Sequence, residues 1–139
     1  MFILKSEIEF DMAHFLSDYE GKCANIHGHR YRLVVKIKQE ELLKEGQDRG
    51  MVTDFNRVKS NLKIIHDIFD HKLVVEENEE GKRLIASVGG TYDCLFVPYR
   101  PTAEEMSRDI FNKLTSLGLA VAEVELFETP TNSCIYTGA

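Results

Sequence analysis

Three histidines and a cysteine stand close together in the first part of the chain: His14, Cys23, His27 and His29. His27 and His29 are two apart at the start of a segment that alternates as a strand does. Extended backbone places both imidazoles on one face with Cα atoms roughly 6–7 Å apart, near enough to converge on one metal ion. His-Gly-His alone is a weak signal, because it also occurs by chance in loops. His14 strengthens it, since it lies just past a first strand pattern. If the two strands pair as a hairpin, His14 flanks the same end of the sheet. Three imidazoles leave a fourth tetrahedral position open, the arrangement of catalytic rather than structural Zn2+.

Cys23, four residues before His27, admits three readings. It is a fourth ligand closing a structural site, a base or nucleophile beside the metal, or an inert buried thiol. A thiol ionises near pH 8.5 and nearby positive charge lowers that, so a Cys close to zinc but not bound to it is a competent base. Asp70-His71 closes a helical pattern and has two readings as well. It is either a histidine on the negative end of the helix dipole or a carboxylate–imidazole pair for proton transfer. Neighbouring side chains seldom bond one another, which leaves Asp70 free to address a third group such as Cys23. Glu128 differs by strand parity from Glu123 and Glu125, which read as solvated. A carboxylate facing a pocket there can accept two parallel N–H bonds from an amino-substituted heterocycle. His66 reads as helix surface, and Cys94 and Cys134 as packing.

The elements that position these residues are legible from periodicity. Residues 2–10 alternate, as do His29 to Lys38, and the two segments read as paired strands. Residues 12–28 lose the alternation and contain Ser17, Asp18, Gly21 and Gly28, a loop by composition. Asp54 is placed to cap a helix whose apolar face is Phe55, Val58, Leu62, Ile65 and Phe69. Leu84 to Val88 and Tyr92 to Val97, joined across Gly89-Gly90-Thr91, predict a small hairpin. Thr102-Ala103-Glu104-Glu105 fits a capping box. The helix after it shows Met106, Ile110, Leu114 and Leu117 on one face and stops at Gly118. Val121 to Phe127 and Ser133 to Thr137 close the chain as strands. The expected class is α+β: an antiparallel four-stranded sheet with two helices on one face plus the inserted hairpin.

The chain of 139 residues reads as a single domain over 1–139. A net charge of -6 argues against nucleic acid as a partner. No apolar run approaches a membrane span, and the first residues lack the pattern of an export signal. Three irregularly spaced cysteines then fit reduced thiols and a cytoplasmic protein.

Taken together, Phe10-Asp11-Met12-Ala13-His14, Cys23 to His29, Met51 to Phe55, Asp70-His71, Pro101 to Glu104, and Glu128-Thr129 with Ser133 to Tyr136 resemble the 6-pyruvoyl-tetrahydropterin synthase-like family. The six motifs occur in the right order over most of the chain. The Cys-x3-His-Gly-His spacing is closest to the family's bacterial carboxy-forming branch of the queuosine (7-deazaguanine) pathway. The resemblance implies a tunnelling fold (T-fold) and His14, His27 and His29 as zinc ligands. It implies Cys23 as proton acceptor with Asp70 and His71 as its relay, Glu128 as the pterin anchor within that relay, and Thr102 as a second ring contact. It further implies self-assembly, commonly into homohexamers with active sites between subunits. The implied reaction converts 7,8-dihydroneopterin triphosphate and water to 6-carboxy-5,6,7,8-tetrahydropterin, acetaldehyde and triphosphate. A pyruvoyl product from the same substrate, or a non-catalytic zinc module, is the alternative. Two departures stand out: Lys72-Leu73-Val74-Val75 follows Asp70-His71, and residues 76–100 are longer than in compact members.

Overall fold

Two long alternating segments form the frame of the molecule, described here from a computed structural model for residues 1–88, 90 and 92–139. β1 (Phe2–His14) pairs antiparallel with β2 (His27–Gln39) along its whole length, from Phe2 opposite Gln39 to His14 opposite His27. The strands therefore run further than their alternation predicted. Residues 12–14 and 27–28, expected as loop, continue the ladder. The alternation fades there because histidines take inward-facing places that apolar residues fill elsewhere. β5 (Val121–Thr129) pairs antiparallel with β2, and β6 (Asn132–Tyr136) with β5.

The expected four-stranded antiparallel sheet is thus present but is part of a larger one. β3 (Leu73–Glu76) lies parallel to β1, and β4 (Cys94–Val97) parallel to β3. The result is a six-stranded mixed sheet in the order β4-β3-β1-β2-β5-β6. β3 escaped notice because Leu73, Val74 and Val75 are all buried. A parallel strand covered on both faces shows a continuous apolar run and no alternation.

Helix α1 (Phe55–Phe69) starts where expected, with Asp54 Oδ1 accepting the Asn56 N–H at 2.8 Å. Val58, Leu62, Ile65 and Phe69 face the sheet, each fully buried side chain worth about 1.5–3 kcal/mol. Phe55, at the first turn, is instead 50% exposed. The predicted hairpin is not formed. Leu84 to Val88 is the second half of helix α2 (Glu79–Val88), and Cys94–Val97 pairs with β3. Gly89 and Thr91 of the predicted turn lie outside the described residues. Leu84, Ile85 and Val88 have a spacing that suits a helix as well as a strand, and Glu79 and Glu80 favour the positive end of a helix dipole.

α3 (Ala103–Ser116) is capped by Thr102, whose Oγ1 accepts the Glu105 N–H at 3.2 Å. The reciprocal half of the capping box is absent, since the Thr102 N–H donates to the Arg100 carbonyl. Met106, Ile110 and Leu114 are buried, whereas Leu117 at the helix end is exposed. α1 and α3 share one apolar core with β1, β2 and β5. The third helix departs from the one-face layout. Val74 joins that core, but Leu73 and Val75 point the other way and pack with Phe15, Leu84, Ile85 and Cys94. α2 therefore covers the opposite face of the added strands.

Gly81 is what allows α2 to sit so close. A Cβ there would collide with the Glu76 carbonyl and come within 2.6 Å of Val75 Cγ1. Gly81→Ala is expected to destabilise the protein by roughly 1–3 kcal/mol through overpacking, although alanine is the better helix former. Chemical denaturation measures the sign directly.

Candidate active site

The site is the frayed end of three apolar stripes. Along the helix-covered face of the sheet run Phe10, Met12 and His14 on β1, His29, Tyr31 and Leu33 on β2, and Val124, Leu126 and Glu128 on β5. Each stripe changes from apolar to ionisable as it leaves the core. The register sets His14 opposite His27 and Met12 opposite His29. In β5, Phe127 pairs with Ser133 and Thr129 with Asn132, so Glu128 is the extra residue of a β-bulge. Bulges re-aim a side chain in this way.

One donor atom from each of His14, His27, His29 and Glu128 lies within 4.8 Å of the others. His14 Nε2 stands 3.0 Å from His27 Nε2. Glu128 Oε1 is 3.3 Å from His14 Nε2 and 3.2 Å from His29 Nε2. The outward nitrogens are committed elsewhere. His14 Nδ1–H donates to the Pro101 carbonyl at 2.8 Å, and His27 Nδ1–H to the Asn25 carbonyl at 2.7 Å. Both rings are thereby fixed in the tautomer that leaves Nε2 with a bare lone pair. Two lone pairs at 3.0 Å repel unless a cation lies between or beside them. Tetrahedral zinc sets its nitrogen ligands roughly 3.3 Å apart, and backbone carbonyls orienting the distal ring nitrogen are the usual support for metal-bound histidine. The residues fit a metal ion. His14 is 1% exposed and Tyr31 Oη lies 3.3 Å from its Nδ1, so protein atoms enclose the back of the site.

The charges agree with that use. Burial lowers the His29 pKa, with Glu128 opposing and the other two imidazoles reinforcing the shift. Neutral His29 is the form that can bind a metal. When His14 carries a second proton in place of a metal ion, its imidazole holds Glu128 below the ordinary carboxylate range against the effect of burial. Burial and the Glu128 charge push the Tyr31 phenol up.

Cys23 is not part of this group and sits in the 3-10 turn Lys22–Ala24 between β1 and β2. It is half-buried and unpaired, as are Cys94 and Cys134. Asp70 and His71 do bond one another: Asp70 Oδ2 accepts from His71 Nδ1 at 2.8 Å. The reason is the backbone. His71 has φ 58°, the left-handed conformation, which turns its ring back over Asp70. Asp11 grips the pair, donating its N–H to Asp70 Oδ1 at 3.0 Å and accepting the His71 N–H at 2.6 Å. The His71 ring opens into a cleft of about 460 Å3, whose lining includes His29, Arg30, Asp11, Lys72 and Tyr92 but not Cys23. Within one chain, then, His14, His27, His29 and Glu128 come together, Asp70-His71 opens to the other face of the β1–β2 ladder beside Asp11, Ala13 and Arg30, and Cys23 joins neither group. Thr102 is the α3 cap beside Pro101. Sequence reasoning missed Tyr31, which read only as a strand residue, and the Pro101, Asn25 and Asp11 backbone groups, which carry no side-chain signal.

A family model described as 6-pyruvoyl tetrahydropterin synthase matches residues 3–139. Among curated proteins, the chain is 41% identical to the 6-carboxy-5,6,7,8-tetrahydropterin synthase of Haemophilus influenzae, over 98% of this chain and 99% of that one. It is 31% identical to the enzyme of the same name from Synechocystis, over 98% and 93%. Among solved structures, 6-pyruvoyl tetrahydropterin synthase of Caenorhabditis elegans superposes with a TM-score of 0.71 at 25% identity, covering 99% of this chain and 96% of that one. An uncharacterised Wolinella succinogenes protein gives 0.74 at 20% identity over the whole of both chains, a likeness of fold. Histidines gathered at the end of this sheet and the tunnelling fold around them define one class of protein. The chain belongs to the 6-pyruvoyl tetrahydropterin synthase family.

The Asp70 carboxyl is lowered chiefly by the Asp11 N–H, with His71 and His66 adding to it against burial. A depressed carboxylate stabilises the fold above the unfolded value of about 3.9 and ceases to as pH falls through the lower folded value. The melting-temperature gap between the native protein and Asp70→Asn should therefore be full at pH 6–8 and close below pH 4. A gap independent of pH would contradict this.

Proposed function

We propose that this protein is a 6-carboxy-5,6,7,8-tetrahydropterin synthase. It converts 7,8-dihydroneopterin triphosphate and water to 6-carboxy-5,6,7,8-tetrahydropterin, acetaldehyde and triphosphate, for queuosine (7-deazaguanine) synthesis. The observation that carries the reading is the convergence of His14 and His27 Nε2 with both Nδ1 protons already given to carbonyls. That is a site prepared for a Lewis acid, in a chain 41% identical to a protein of this name.

His14, His27 and His29 hold Zn2+ in this reading, with Glu128 beside them. Bound zinc supplies Lewis acidity, lowering the pKa of a hydroxyl on the substrate's side chain. Cys23 takes and returns protons at the side-chain carbons, so that triphosphate can leave. Asp70 holds the His71 imidazole for proton transfer in the later carbon–carbon cleavage. Glu128, kept ionised, accepts N–H groups of the pterin ring, as a two-oxygen acceptor can. The Thr102 oxygen accepts at the helix cap and keeps its own proton to offer to the ring. The opening of Asp70-His71 to the sheet face opposite the histidine cluster supports an assembly, a homohexamer in this reading, with sites completed between subunits. Free thiols at Cys23, Cys94 and Cys134 accord with a cytoplasmic setting. No helix is long and apolar enough to cross a membrane among the described residues.

The test is incubation of the zinc-loaded protein with dihydroneopterin triphosphate and identification of the products. Acetaldehyde with a carboxypterin is expected; a pyruvoyl product without aldehyde sinks the reading in favour of the other branch. Cys23→Ala should keep its zinc and lose turnover by roughly 100-fold or more. His27→Ala should lose both. Release of metal from Cys23→Ala, with unfolding on chelation, would instead make the site structural.

A further inference from the structure

The turn that carries Cys23 has almost no packing of its own. Lys22–Ala24 contains no buried residue, and its local hydrogen bonds are only Ala24 N–H to Gly21 at 3.2 Å and Asn25 N–H to Lys22 at 3.1 Å. What holds it is a main-chain bond from further back, the Leu16 N–H donating to the Cys23 carbonyl at 2.8 Å. Residues 15–18 are in turn fastened to β3, to α2 and to the turn between them. Phe15 is buried with Leu73 and Val75 under Leu84 and Ile85 of α2. Ser17 is 1% exposed. Its hydroxyl donates to Glu76 Oε1 at 2.7 Å and accepts from Asn78 Nδ2 at 3.0 Å. Asn78 Oδ1 accepts the Gly81 N–H at 2.8 Å, which ties the network to the first turn of α2. Asp18, in the left-handed conformation at φ 56°, gives its N–H to Glu80 at 3.3 Å, and its carbonyl accepts from Arg100 at 3.1 Å.

We propose that the Ser17–Glu76–Asn78 network is a clamp by which the β3–α2 segment positions the Cys23 thiol. Ser17 is a positioning residue: it acts through Leu16 and the backbone of Cys23. A buried hydroxyl whose proton and lone pair are both engaged has one allowed rotamer. Removing it leaves Glu76 Oε1 and Asn78 Nδ2 without this partner, at a cost that loosens the segment it fastened. Proton transfer tolerates such loosening poorly, since a displacement of about 1 Å is worth roughly 100-fold in rate. The inference rests on the role proposed above for Cys23.

The test compares the full-length, zinc-loaded protein with Ser17→Ala, Glu76→Ala and Glu76→Gln. The glutamine keeps an oxygen that accepts from Ser17. Amide hydrogen exchange over residues 15–25, zinc content and turnover of dihydroneopterin triphosphate are measured for each. Ser17→Ala and Glu76→Ala should raise exchange about tenfold over residues 15–25. They should also lower kcat roughly 10- to 100-fold at unchanged zinc content, with Glu76→Gln tracking the native protein. Unchanged exchange in Ser17→Ala and Glu76→Ala, or raised exchange with native kcat, overturns the clamp. So does Glu76→Gln behaving as Glu76→Ala does. Should Ser17→Ala not fold, the two Glu76 variants decide. The exchange readout needs no turnover. A native protein inert on the pterin substrate removes the reaction, and raised exchange then still supports the clamp.

Discussion

His14 and His27 face each other at the last rung of the β1–β2 ladder, and their 3.0 Å approach constrains everything near it. It requires an in-register ladder of thirteen residues on each strand, because a slip of one strand by one residue would turn its ring to the other face, away from its partner. The Pro101 carbonyl must be delivered to His14 from the start of α3, and a short turn must bring the Asn25 carbonyl back on His27. The apolar core under α1 and α3 serves the same end. It fixes the sheet against which these backbone acceptors are placed.

The sheet's two halves divide the labour. The antiparallel part β1-β2-β5-β6 supplies the side chains that converge, with Glu128 at the point where β5 bulges. The parallel part, β3 and β4 with α2, supplies no member of the cluster. It covers the far face of the sheet and abuts the β1–β2 connection, so the molecule holds the Cys23 loop from outside. Asp11 links the halves through its backbone, one strand residue gripping the end of α1.

Much of this was legible beforehand, for reasons that differ by residue. His14, His27 and His29 could be grouped because strand parity is a strict two-residue rule, and Glu128 could be separated from Glu123 and Glu125 on the same ground. Caps at Asp54 and Thr102 were readable because short oxygen side chains before an apolar period have few other uses. The misreadings were physical in origin too. Leu84 to Val88 suits either period over so few residues, and Leu73 to Val75 is uniformly apolar because both its faces are covered. The Asp70-His71 bond was hidden because it depends on a left-handed residue that carries no glycine to announce it. Backbone acceptors such as the Pro101 carbonyl leave no mark in a sequence at all.

His71 occupies the position just past a helix where glycine is most at ease, and a side chain there costs of order 1–2 kcal/mol. A protein optimised only for folding would place glycine at 71 and gain from it. Keeping an imidazole means that the end of α1 is set somewhat against its own conformational preference, with Asp11 and Asp70 restraining it. Searches for more heat-resistant forms of this chain would therefore be drawn to position 71, and the gain there would come from discarding the ring that faces the cleft.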